Sequence, residues 1–152
     1  MGWFGPDGTF HVVKRAAAAY EDHEFAREAR KVESRTFVSH VRLGYTEDIS
    51  HRNTQPFVQE GRLLAHNSWV GDLPKLEEEI AEHAALVEGE TDSERLFALV
   101  TRETERHGGD VTQGIAAAAR WAARELPLFA INLVVATKEE LWALRYPESE
   151  EL

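Results

Sequence analysis

The sequence predicts an α+β fold in which sheet packs on helices. Three observations carry this. Alternating β-branched and aromatic segments fall into two groups, one early and one late in the chain. Three of the four helical patterns lie between those groups. The length of 152 residues, 43% of them hydrophobic, suits a single domain, residues 1–152, with a core of its own.

The first group opens with "GWFGPDGTFHVVKR", two short strands around a Pro-Asp-Gly turn. A helix follows in "YEDHEFAREARKVES", where Phe25, Ala29 and Val32 share a face and Asp22 is placed as N-cap. Arg35 to Leu43 alternates as a strand, with Val38, His40 and Arg42 on one side. "GYTEDISHRNTQPF" is polar and reads as a long loop, and Arg62 to Asn67 is the next strand. The middle helices begin at Pro74, at Thr91-Asp92-Ser93 and at Asp110; Gly108-Gly109 stops the second. "LFAINLVVAT" is a short apolar run fit for a buried strand. Leu141 to Tyr146 alternates as the last strand, before an acidic tail. Trp69, Trp121 and Trp142 are assigned to core or edge packing.

Composition excludes several classes of function. With no cysteine, the chain has no disulfide, thiolate metal site or cysteine nucleophile of its own. A net charge of −10 gives no basic surface for nucleic acid. No apolar run approaches a membrane span, and "MGWFGPDGTF" lacks a signal-peptide pattern, so the cytoplasm is the expected compartment. The seven histidines form no helical ligand motif, and no metal is expected. His40 and His66 are read as hydrogen-bonded within the sheets. Ser39, Ser68 and Ser93 lack the context of a serine nucleophile. Nothing in the chain decides whether it forms a homo-oligomer.

"RLLAHNSWVGD", Arg62 to Asp72, raises a sharper question, because an apolar strand ends in His66, Asn67 and Ser68. A strand end that aims an amide and a backbone N–H at one point can hold developing negative charge. Together with Arg42 at another strand end and Asp92 at a helix start, such a pair suits an amino acid. Arginine grips the α-carboxylate, aspartate the α-ammonium, and the amide faces a reacting carbonyl. Each residue also has an ordinary reading: Arg42 as a surface charge, Asp92 as an N-cap, Asn67-Ser68 as entry to a turn.

The order of the motifs adds information. "HVR" at His40 to Arg42, "NTQPF" at Asn53 to Phe57, "HNS" at His66 to Ser68 and "TDSE" at Thr91 to Glu94 resemble, in sequence, those of the class II glutamine amidotransferases. "LWALRYP" also resembles a late strand of the small stand-alone members. The resemblance implies the N-terminal-nucleophile hydrolase fold, an αββα sandwich, here incomplete at both ends. It implies hydrolysis of the side-chain amide of L-glutamine to glutamate and ammonia, with no cofactor. By the same resemblance, Asn67 and the N–H of Ser68 form the oxyanion hole, Arg42 binds the carboxylate and Asp92 the ammonium.

Three departures qualify this. The family nucleophile is a first-residue cysteine, absent here, so the chain is read as a truncated form that is inactive alone. Gln55 stands where the family has His, and Ser68 where it has Gly. The alternative reading is a non-catalytic glutamine-binding or interaction module.

Overall fold

The computed structural model describes residues 1–41 and 50–147. The chain divides into two compact units, Met1–Ala65 with Val135–Leu141, and His66–Val134 with Trp142–Leu152.

In the first unit, β1 (Gly2–Phe4) pairs antiparallel with β2 (Phe10–Val12), Trp3 opposite His11 and their rings stacked. The turn between them works as its Pro-Asp-Gly composition requires. Gly8 takes φ 87° and donates to the Gly5 carbonyl at 2.9 Å, while Asp7 Oδ1 accepts from Thr9 N–H at 3.0 Å. Helix α1 (His23–Ala29) starts where Asp22 accepts from Phe25 N–H at 2.9 Å, as predicted. β3 (Phe37–Val38) pairs on the other side of β1, giving the order β2-β1-β3. It is shorter than the nine residues expected for that strand. β1 meets it only at Gly2 and Trp3, and Arg42 and Leu43 lie outside the described residues.

A strand missing from the sequence reading is β4 (Phe57–Gln59), which forms a hairpin with β5 (Arg62–Asn67). Glu60 (φ 48°) and Gly61 (φ 71°) make the two-residue turn, both at the positive φ that such a hairpin needs. Glutamate is an uncommon residue there, so the signal in sequence was weak. The second sheet runs β4-β5-β6-β7, with β6 at Ile131–Ala136 and β7 at Leu141–Tyr146. Both agree with the predicted strands.

The second unit is built on α3 (Asp92–Arg106), which packs against α2 (Leu73–Ile80), a 3-10 helix (Ala81–Leu86) and α4 (Val111–Glu125). Leu96, Phe97, Leu99 and Val100 of α3, Leu76 and Ile80 of α2, and Ile115, Ala118 and Ala122 of α4 are all buried. This spacing of apolar residues is why the three sequences form amphipathic helices. Helices α3 and α4 approach so closely that a Cβ on Gly114 would lie 2.7 Å from the backbone N and Cα of Thr104. Asp110 caps α4 by accepting from Gln113 N–H at 2.9 Å, and Gly108 and Gly109 end α3 at positive φ. The N-cap of α3 is Thr91, whose Oγ1 accepts from Glu94 N–H at 3.2 Å. Glu94 reaches back to the N–H groups of Glu88 and Gly89. The ordinary reading of Asp92 as the cap is therefore corrected: Thr91 holds the cap position, and Asp92, one residue on, accepts the next N–H of the helix, from Ser93, on one oxygen only.

Candidate functional site

The end of β5 is where the second unit begins. Leu63 and Leu64 are buried, His66 is only 2% exposed, and Asn67 at the strand's tip is exposed. The Asn67 side chain makes no hydrogen bond among the described residues.

Ser68 turns the chain at φ 143°, a conformation natural to glycine and costly for an L-residue. Its Oγ is buried without a hydrogen-bond partner among the described residues. Beyond it the chain straightens. Val70 forms an antiparallel bridge with Leu128, flanked by bonds from Phe129 N–H to the Trp69 carbonyl (3.2 Å) and from Gly71 N–H to the Pro127 carbonyl (2.7 Å). Trp69 is exposed, with its ring against Gly71.

The start of α3 meets this turn. Asp92, the first residue of the helix, accepts Val70 N–H on Oδ2 at 2.8 Å. Its other oxygen, Oδ1, takes Ser93 N–H at 2.7 Å and the Ser93 hydroxyl at 3.2 Å. Ser93 Oγ in turn lies 3.0 Å from Nδ1 of His66. His66, buried as expected, is thus tied to the first turn of α3. Two motifs more than twenty residues apart in sequence, His66-Asn67-Ser68 and Thr91-Asp92-Ser93, share one hydrogen-bonded cluster.

The remaining motif residues belong to the first unit. Asn53, Gln55, Pro56 and Phe57 are buried, and the loop is tied locally by Asn53 N–H to Ser50 Oγ (3.2 Å) and Thr54 Oγ1 to the Ser50 carbonyl (2.7 Å). Arg42 falls outside the described residues. Among the described residues, no group of three His, Cys, Asp or Glu side chains could hold a metal ion, and no helix is long and apolar enough to cross a membrane.

A family model described as class-II glutamine amidotransferases matches residues 1–148. The chain belongs to this family. Among solved structures, the fold of this amidotransferase-family chain is similar to that of a glutamine aminotransferase class-II domain protein from Silicibacter pomeroyi. The TM-score is 0.76 at 24% identity, over 98% of this chain and 69% of that one. It is also similar to glutamine phosphoribosylpyrophosphate amidotransferase from B. subtilis, solved with ADP and GMP. There the TM-score is 0.52 at 20% identity, over 70% of this chain and 22% of that one. No curated protein sequence matches. The fold is accordingly of the N-terminal-nucleophile type, mixed α/β with two sheets, as the motifs implied.

What sequence reasoning missed is the link between Ser93 and His66. Neither stands out by residue type, and only the contact between α3 and the end of β5 makes them partners.

Proposed function

We propose that this chain carries the glutamine-recognition and oxyanion half of a class-II glutaminase site. Asn67 and the Ser68 N–H form the oxyanion hole, Asp92 receives the α-ammonium, and Arg42 grips the α-carboxylate. The observation that carries this reading is the exposed Asn67 amide, unbonded among the described residues, beside the Ser68 bend, with the Asp92 carboxylate bonded two residues further on. Asp92 Oδ2 accepts one bond, and a carboxylate oxygen has room for a second, so an ammonium donor can join Val70 N–H there.

In amide hydrolysis of this kind, a thiolate attacks the side-chain carbonyl and the oxygen gains negative charge. The Asn67 amide and a backbone N–H stabilise that charge by about 3–4 kcal/mol per donor. The thioester then yields to water. Glutamate is released, with ammonia already gone or passed on. The 152 residues contain no cysteine, so this polypeptide supplies recognition and charge stabilisation but no thiol. That absence favours a second reading, a glutamine-binding module without chemistry.

The test is ammonia release from L-glutamine together with calorimetric titration of L-glutamine into the purified chain. We expect no turnover and weak binding, with dissociation constants on the order of millimolar, about −4 kcal/mol. Arg42→Lys loses the planar two-point grip and should weaken binding several-fold. Turnover that disappears in Asn67→Ala would sink the claim that the thiol is missing. Identical affinity in wild type and Arg42→Lys would remove Arg42 from the site.

A further inference from the structure

The turn after β5 must hold its backbone in an unfavourable conformation, and nothing in Asn67-Ser68-Trp69 explains how. The Val70–Leu128 bridge uses the N–H groups of Gly71 and Phe129. Alternation along an extended chain then aims Val70 N–H away from that partner. Val70 is 1% exposed, so its N–H would be an orphaned donor without Asp92. The downstream side of the turn is thereby pinned to α3. The upstream side is pinned too, because His66, immediately before Asn67, bonds to Ser93 on the same first turn of α3.

We infer that Ser93 and His66 are positioning residues: with Asp92 they clamp both sides of the Asn67-Ser68 turn to the start of α3 and hold its donors in register. This rests on the reading of that turn as the oxyanion site. The chemistry of the chain fixes its direction. Asp92 accepts only, so the single hydroxyl proton of Ser93 goes to Asp92 Oδ1. Ser93 Oγ must then accept from His66, which requires a proton on Nδ1 of the imidazole. His66, Ser93 and Val70 are all buried, and in such surroundings each bond is costly to leave unmade. The clamp also links the two halves of recognition. A ligand ammonium arriving at Asp92 meets the same carboxylate that holds Val70, so ligand binding and turn geometry share one group.

Nitrogen NMR of the full chain tests this without any variant, by showing which ring nitrogen of His66 is protonated. The expected result is a proton on Nδ1; a ring protonated at Nε2 alone overturns the proposal. Amide exchange of Ser68 and Val70, measured relative to Leu99 and Val100 in α3, separates local opening from general destabilisation. Ser93→Ala should lower relative protection of Val70 by about ten-fold, the effect of one lost hydrogen bond in a buried network, and Ser93→Thr should restore it. Unchanged relative protection in Ser93→Ala overturns the clamp. Titration with L-glutamine reads the underlying function separately. If Ser93→Ala loosens Val70 while Asp92→Asn leaves affinity unchanged, the clamp stands and the ammonium role of Asp92 fails.

Discussion

Replacing Ser68 by glycine should make the protein more stable, although it deletes a side chain from a half-buried position. Ser68 sits at φ 143°, and holding a non-glycine residue in such a region costs about 1–3 kcal/mol. Glycine removes that cost but returns about 0.4–1 kcal/mol through the greater freedom of the unfolded chain. It also removes a hydroxyl oxygen that is buried with no hydrogen-bond partner among the described residues, a further gain of up to about 1 kcal/mol. The net stabilisation is roughly 0–4 kcal/mol, about 2 kcal/mol at mid-range. At about 2–4 °C per kcal/mol for a chain of this size, that mid-range value should shift thermal unfolding, followed by circular dichroism, upward by about 4–8 °C. Ser68→Ala separates the two contributions, because it deletes the hydroxyl and keeps the Cβ at the same φ. Its gain should be less than half that of Ser68→Gly. A Ser68→Gly protein that melts at or below the wild-type temperature would refute the strain assigned to this residue, and with it the idea that the turn is held against its own preference.

Three further substitutions probe the frame that supports the site. Gly114→Ala gains about 1 kcal/mol of helix propensity but drives a Cβ to 2.7 Å from the backbone of Thr104. Backbone atoms cannot swing aside, so overpacking of about 3 kcal/mol or more should win and lower the melting temperature by at least about 4 °C; an unchanged melt would contradict the close α3–α4 approach. Thr91→Ala should cost about 1 kcal/mol by removing the cap of α3, read from a denaturant midpoint, and Thr91→Ser should recover most of it. Glu125 is held at a pKa of about 2 by hydrogen bonds from Arg124 and Lys75 and by the Lys75 charge. Its folded pKa lies below the ordinary 4.5, so its stabilising effect is complete above that value and is lost as pH falls through about 2. Glu125→Gln should therefore flatten the decline in melting temperature across that acid window, and an equally steep decline in both proteins would argue against the pairing.

Much of the fold was legible because local chemistry and tertiary packing agree. Asp22 and Asp110 cap the helices that their positions announce, and Gly108-Gly109 ends α3 where no residue with a Cβ is comfortable. β4 was missed because its three residues are followed by Glu60, a poor marker for a turn that demands positive φ. The site was legible as strings of residues and not as connections. His66-Asn67-Ser68 and Thr91-Asp92-Ser93 can each be read as ordinary local structure, and in isolation that reading is sound. What local reading cannot supply is the direction of one buried N–H. Val70 is extended and bridged on one side, so its amide must find an acceptor on the other, and that acceptor must come from a distant part of the chain. Asp92 meets this need from the first turn of α3, where a negative charge is also favoured by the helix dipole. An acidic residue at this place is therefore explained by packing before any ligand is considered. The two roles differ in what they require. Holding the turn takes both oxygens, Oδ2 for Val70 N–H and Oδ1 for the Ser93 N–H and hydroxyl, whereas holding an ammonium takes the charge. Asp92→Asn removes the charge and one of these acceptors together, so protection of the Val70 amide, read beside glutamine affinity in the same variant, tells a structural acid from one that also reads an amino acid.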